Sequence, residues 1–353
     1  MFYRCKSCGG NVIYDPKKKA MVCESCGNGG EPDLISQEKK HVCNNCGAEI
    51  EADKIDLSLK CPYCGTYVIF EDRMENEYEP NLVLPFALDK HKALDLLKEK
   101  FAKQMFLPGN FCAASTIESM QGLYVPFWMY DLHTHVHFEG EADKVRTWDE
   151  DDYECTETST YRILRDFDVD YDKIPVDASK VMPDKMMDLM EPYKYGELGD
   201  FDAKYLSGFQ AEVYDEDKNT LLPRAKKKAD KYSQKYLSSY NVEYDAVRPT
   251  VNDKKSTEKE SFYSFLPVWR YVYRYQGKNY EFYVNGQTGK AVGEAPTSTG
   301  NYRMVYRRVW FSFLHCGNVA LFIGGVINGK DIPWNINICC YTWNCDGTGR
   351  QKV

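Results

Sequence analysis

Eight cysteines in the first 65 residues form four Cys-x-x-Cys-Gly knuckles, and the second pair of knuckles repeats the first at a fixed offset of 38. Cys5, Cys8, Cys23 and Cys26 recur as Cys43, Cys46, Cys61 and Cys64. Each half reads C-x2-C-x14-C-x2-C, a spacing that lets four thiolates converge on one tetrahedral ion. The 14-residue spacer is long enough for a hairpin that returns the second knuckle to face the first. A glycine follows every second cysteine (Gly9, Gly27, Gly47, Gly65), where a tight knuckle needs backbone freedom. The pattern predicts two tandem zinc ribbons, residues 1–38 and 39–70, each a small β unit around one structural Zn²⁺. Four thiolates leave no coordination position open, so such an ion holds a fold together and activates no water. Rubredoxin-like iron competes with zinc, because Cys61-Pro62-Tyr63-Cys64-Gly65 is a knuckle of the kind iron takes. Disulfides compete only in an oxidising compartment, and the chain opens Met-Phe-Tyr-Arg with no apolar signal-peptide core.

A chain of 353 residues has room for two or three domains. Its formal charge of −8 disfavours a nucleic-acid partner, and the ribbons share that balance, with nine Lys/Arg and nine Asp/Glu over residues 1–70. After an acidic linker at 71–80, a helical pattern runs from Asp89, its N-cap, to about Phe106. Leu94, Leu97, Phe101 and Met105 share one face, and Pro108-Gly109 stops the helix. Strand-like runs follow at 122–130, 131–139 and 161–170, with an exposed acidic loop at Asp149–Asp152 and Glu154. A second helix is expected over Leu221–Tyr240, then a polar linker over Arg248–Glu260. A strand follows at Phe262–Tyr275, a turn at Gln276–Asn279 and a return strand at Tyr280–Val284. Twenty-seven tyrosines agree with a strand-rich middle. The segments Val125-Pro126-Phe127-Trp128-Met129-Tyr130 and Leu266-Pro267-Val268-Trp269-Arg270-Tyr271 share a P-x-W-x-Y core, each after a helix. This predicts an α+β body at 81–300, built from duplicated helix-plus-antiparallel-sheet units at 81–200 and 201–300.

Val309–Ile327 holds 19 residues without Asp, Glu, Lys or Arg, and Arg303, Arg307 and Arg308 precede it. A single apolar membrane helix is therefore expected within 301–330, contacting lipid through 309–327, with the bulk of the chain inside the cell. A buried hydrophobic hairpin is the competing reading, since His315 and Asn318 interrupt the run. The tail 331–353 has no periodicity.

The order of motifs resembles a bacterial family of membrane-associated proteins with a transcription-factor-IIB-type zinc ribbon, some of which are labelled relatives of a primosomal helicase. The residues that carry the likeness are the paired knuckles, Leu84-Pro85-Phe86, Val125-Pro126-Phe127-Trp128, Tyr205-Leu206-Ser207-Gly208-Phe209, Leu266-Pro267-Val268-Trp269 and Val284-Asn285-Gly286-Gln287-Thr288-Gly289-Lys290. The resemblance implies a cytoplasm-facing protein on the bacterial inner membrane. It also implies membrane-stress systems of the phage-shock type, and SPFH-type scaffolds, as partners.

Helicase chemistry needs a phosphate-cradling Gly-x4-Gly-Lys-Ser/Thr loop, and Gly277-Lys278, Gly289-Lys290 and Gly329-Lys330 all lack it. His133, His135 and His137 alternate, so on a strand all three project from one face, as a metal site or as a solvated surface. Cys112 and Cys155 have no histidine-plus-acid motif beside them and read as inert thiols. The acidic run 149–154 lacks the glycine and terminal glutamate of a calcium loop. Arg224, Lys226, Lys227, Lys228 and Lys231 read as a solvated helix face or a dock for acidic lipid or a partner. The expected function is a non-enzymatic, membrane-tethered module that binds other proteins. The alternatives are a nucleic-acid-binding adaptor and an enzyme whose site is dispersed in sequence.

Overall fold

The structure is a computed structural model. It describes residues 1–36, 42–43, 45–74, 79–102, 108, 111, 120–151 and 153–296. The expected membrane helix, the tail after it, Cys112, Gly329-Lys330 and Met105–Phe106 lie outside the described residues.

The first ribbon contributes β1 (Phe2–Arg4), the hairpin β2 (Val12–Asp15) and β3 (Ala20–Cys23), and β4 (Asp33–Ile35), which returns to pair with β1. The second contributes β5 (Asp56–Lys60) and β6 (Tyr67–Ile69). Then come β7 (Leu82–Val83), α1 (Lys90–Phe101), β8 (Met120–Glu150), β9 (Tyr153–Asp177), α2 (Asp184–Met190), β10 (Gly199–Asp200) and β11 (Gln210–Glu212). The chain continues through α3 (Lys218–Tyr240), β12 (Ala246–Tyr275), β13 (Lys278–Asn285) and β14 (Ala291–Gly293).

The body is mostly β, which corrects the expected α+β architecture of two duplicated units. β8 and β12 run antiparallel side by side from Met120↔Tyr271 to Asp143↔Ala246, within one ten-stranded sheet ordered β10-β7-β12-β8-β11-β5-β6. β9 pairs with β8 and β13 with β12 off that path. The two P-x-W-x-Y segments therefore lie on neighbouring strands of one sheet and share its core. Their tryptophans have matched roles, crossed between the two halves. The Trp269 indole N–H donates to the Leu88 carbonyl at 3.0 Å, and that of Trp128 to the Glu216 carbonyl at 3.1 Å. Each carbonyl lies one residue before an aspartate that caps a helix: Asp89 accepts from the Lys92 N–H, and Asp217 from those of Asn219 and Thr220. Each repeat thus pins the start of the other's helix to the sheet. Among the described residues, no helix is long and apolar enough to cross a membrane, which removes the apolar helix from the described fold.

Strand β8 reads as three zones, each set by what covers it. From Met120 to Tyr130 almost every residue is buried, because helices cover both faces. Tyr124, Trp128 and Tyr130 join α1 and α3 residues in the larger core, while Leu123, Val125, Phe127 and Met129 meet Met187 and Met190 of α2. In α1, Ala93, Leu94, Leu97 and Phe101 are buried, each large side chain contributing about 1.5–3 kcal/mol of apolar burial. From Asp131 to Ala142 burial alternates. Leu132, Thr134, Val136, Phe138 and Ala142 are buried on one face, where Leu237 of α3 packs with Phe138, Ala142 and Ile163. Beyond Asp143 the partner β12 has ended, and β8 and β9 go on as a two-stranded arm through Lys144↔Ser159 to Glu150↔Tyr153. The expected acidic loop is the tip of this arm, with Asp151 at φ 53° in the turn.

The expected linker at Arg248–Glu260 is instead the first half of β12, paired with β8 residue by residue and bulged at Pro249/Val251 and Glu258/Glu260. Its side chains are polar on both faces, so no apolar period marks it. Cross-strand pairing makes it a strand.

Candidate metal centres

The four knuckles share one backbone construction. The N–H groups of Gly9, Gly27, Gly47 and Gly65 donate to the carbonyls of Cys5, Cys23, Cys43 and Cys61 at 2.8, 3.0, 2.7 and 3.0 Å. All four glycines sit at φ between 72° and 76°, a region a side chain would strain. Each leading cysteine N–H reaches back across its knuckle, to Gly10, Asn28, Ala48 and Thr66. The offset of 38 extends to the outer contacts. Asn28 Nδ2 donates to Ser7 Oγ at 2.8 Å, and at the equivalent positions Asn45 Nδ2 donates to Thr66 Oγ1 at 2.9 Å.

Both expected quartets assemble. The sulfurs of Cys5, Cys8, Cys23 and Cys26 lie within 4.8 Å of one another, as do those of Cys43, Cys46, Cys61 and Cys64. Across the knuckles, Cys5–Cys26 is 3.7 Å, Cys8–Cys23 3.4 Å, Cys43–Cys64 3.6 Å and Cys46–Cys61 3.8 Å. Each quartet can hold one metal ion. Before metal is added, the thiols are not equivalent. Backbone N–H groups of Cys8 and Ser7 pull Cys5 down to about 6, whereas burial pushes Cys43 up to about 12.

The ribbons are sewn to the body. Ser207 Oγ donates to the Val12 carbonyl at 2.6 Å, and the Tyr14 N–H to the Ser207 carbonyl at 2.9 Å. In the second ribbon β5 pairs with β11, and Ser58 Oγ donates to the Phe209 carbonyl at 3.0 Å. Thr66 Oγ1 also bonds Asn11 Oδ1 at 3.0 Å, so the two ribbons touch through side chains as well. The spacer forms its own two-stranded sheet in the first ribbon, while in the second it supplies a strand to the main sheet.

The three histidines do share one exposed face, and the structure adds partners that the sequence reading missed. His133, His135 and His137 stand opposite Asp170, Asp168 and Asp166 of β9, with Nδ1 to carboxylate distances of 2.7, 2.9 and 2.7 Å. A signal for them was present. Each His–Asp pair is centred in sequence just after Asp151, so a tight hairpin at that point sets all three aspartates opposite the histidines. The hydrogen bond to Asp166 raises the His137 imidazole above its usual range.

The basic stripe of α3 is not a uniformly solvated face. Arg224 Nη2 lies 2.7 Å from Asp177 and 2.8 Å from Asp188, and Lys228 Nζ lies 2.7 Å from Asp188 and 2.6 Å from Glu191. Asp177 is fully buried, and burial pushes its carboxyl up to about 7 even with Arg224 beside it. Burial raises Glu191 as well. These two cations serve an internal network, which leaves Lys227 and Lys231 as exposed members of the stripe. Cys155 is half-buried on the arm, and Gly277-Lys278 and Gly289-Lys290 are tight turns with the glycines at φ 77° and 79°.

The chain is similar to a Bacillus subtilis (strain 168) protein, the uncharacterized protein YdjG, at 36% identity over 345 residues, covering 92% of this chain and 98% of that one. No family model matches, and no solved structure matches.

Proposed function

We propose that this chain, which belongs to the family of Bacillus subtilis YdjG, is a non-enzymatic interaction scaffold that presents a long β-arm to a protein partner from a zinc-stabilised base. Zinc is the ion we assign to the quartets. Bonds of about 2.3 Å to sulfur give tetrahedral edges of about 3.8 Å, close to the 3.4–3.8 Å between the cysteines. A closed four-thiolate shell has structure as its chemistry, and it requires the reducing compartment expected for the ribbons.

The observation that carries the reading is the arm. Among the described residues, β9 has no partner on its outer edge, and residues 144–150 and 153–159 stand beyond the end of β12 with only each other as strand partners, the Val145 N–H alone donating outside the arm, to the Asp245 carboxylate at 2.6 Å. A lone two-stranded hairpin is marginal in water, and an open strand edge is a template for an extended segment. Trp148 and Tyr153 are exposed near its tip, and Asp149, Glu150, Asp151, Glu154 and Glu157 outnumber Lys144 and Arg146. A partner with a basic extended segment fits that chemistry. The membrane-tethered version of this reading has no support from the described residues, since 309–327 lies outside them.

The nucleic-acid alternative calls for a contiguous basic face on the ribbons. Lys6 instead pairs with Asp33 at 3.7 Å and Lys17 with Asp89 at 2.7 Å. A crosslinking pull-down from native membranes, with the full chain beside a variant whose residues 146–157 are replaced by Asn-Gly, tests the proposal. Proteins captured by the full chain and lost from the variant are expected. Equal capture by both, or capture of nucleic acid alone, contradicts it. The same preparations should hydrolyse no ATP, and turnover that co-purifies with the chain would overturn the non-enzymatic reading.

A further inference from the structure

We infer that the exposed face of β8 and β9 carrying His133, His135 and His137 is a second, exchangeable binding site for divalent transition-metal ions, different in kind from the cysteine quartets. The three imidazoles and four carboxylates interleave along the sheet in the order Asp170, His133, Asp168, His135, Asp166, His137, Glu139. Lys259 closes one end on Asp170 at 2.7 Å, and Arg162 the other on Glu139 at 2.9 Å.

Each neutral imidazole donates its Nδ1–H to an aspartate, which fixes the tautomer and leaves the lone pair on Nε2. That is the arrangement metal-bound histidines use, with a carboxylate holding the ring from behind. Each Nε2 then faces the next carboxylate: His133 to Asp168 at 3.5 Å, His135 to Asp166 at 3.7 Å, and His137 to Glu139 at 3.4 Å. Two lone pairs facing each other repel unless a cation sits between them. These gaps exceed the 2.7–3.2 Å of a hydrogen bond, so a proton bridges them poorly. Nitrogen and oxygen bonds of 2.0–2.2 Å give tetrahedral edges of about 3.3–3.6 Å, which matches the notches.

Charge points the same way. Four carboxylates against Lys259 and Arg162 leave the neutral ladder two negative charges, which one divalent ion offsets. From β12, Lys255 and Asp253 flank His135 and His137 as cross-strand neighbours of opposite sign. The imidazoles are 34–44% exposed, so an ion can arrive and leave without unfolding. Among the described residues, only the cysteine quartets bring three donors within 4.8 Å. A notch therefore supplies two protein donors, water completes the shell, and binding is weaker than in the ribbons. Imidazole with carboxylate selects the zinc, copper and nickel class over magnesium or calcium.

Calorimetric titration of Zn²⁺ into the full chain, its quartets already zinc-saturated, tests this at pH 7.5. Uptake beyond two ions is expected. His135→Asn, which touches two notches, should weaken that uptake roughly tenfold to a hundredfold. The triple variant His133→Asn/His135→Asn/His137→Asn should abolish it. Uptake that stops at two ions in the unmodified chain, or that persists in the triple variant, overturns the inference. Nitrogen NMR of the unmodified chain gives a readout independent of the variants' folding. The Nε2 signals of the three histidines should move on adding Zn²⁺, and static signals would also overturn it.

Discussion

Asp177 is a carboxyl without solvent contact, held between the cost of burying its charge and the guanidinium of Arg224. Arg224 also bridges Asp184 and Asp188, so Arg224→Met should destabilise the fold in a urea titration by at most about 3–5 kcal/mol at pH 8, where the Asp177 carboxylate is charged, and by less at pH 5, where the carboxyl is already neutral. The folded carboxyl titrates near 7, above its ordinary value of 3.8. A raised carboxyl contributes stability in full below about pH 4, and the contribution is lost as pH rises through about 7. The unmodified chain should therefore lose more stability between pH 5 and pH 8 than Asp177→Asn does, and equal losses would mean that Asp177 is not the source. Residues at this scale were unevenly legible. The quartets could be read because four donors at short local spacing need only their own knuckles to converge. Arg224 and Lys228 sit among helix lysines, and only the tertiary approach of Asp177, Asp188 and Glu191 distinguishes them.

At the scale of elements, the P-x-W-x-Y repeat works as an anchor for helix starts. Trp269→Phe keeps the ring in the core and removes the donor to the Leu88 carbonyl, which should cost about 1–3 kcal/mol and raise hydrogen exchange at the first turn of α1. The long ribbon depends equally on close approach. A methyl group on Gly140 would lie 2.6 Å from the Arg248 carbonyl oxygen at the β12 bulge. Gly140→Ala should therefore destabilise by about 1–3 kcal/mol, with exchange rising in 246–256 before the rest of the sheet. Unchanged exchange there would mean that the strands part without penalty. The helices were legible because Leu94, Leu97 and Phe101 after the Asp89 N-cap, and later Ala225 and Ala229, follow a helical period, although Tyr232, Tyr236 and Tyr240, which continue the second face in sequence, are exposed while Leu221, Ser233 and Leu237 are buried. The charged half of β12 was not, because Asn252–Glu260 carries no apolar face. It is a strand because β8 pairs with it, and pairing is a non-local fact.

Among the described residues, a base whose two cysteine quartets can each hold a metal ion joins a sheet in which β9 has no strand partner on its outer edge. Because β5 belongs to the main sheet and Ser207 ties the first ribbon to the body, metal loss should reach beyond the ribbons. Chelation should lower the melting temperature of the entire described body, and acid that reprotonates the thiols should act in the same direction. Melting of the body unchanged by chelator would show that the ribbons are mere attachments. In the proposed function, the β8–β9 arm is where a protein partner binds. The most direct measurement places a photo-crosslinking amino acid at Trp148 of the full chain, with a second at Tyr63 on the exposed surface of the ribbon, and irradiates native membranes. Discrete protein adducts are expected at position 148, fading when Asp149, Glu150 and Asp151 are changed to lysine. Adducts confined to position 63, or an arm that captures no protein, would contradict it.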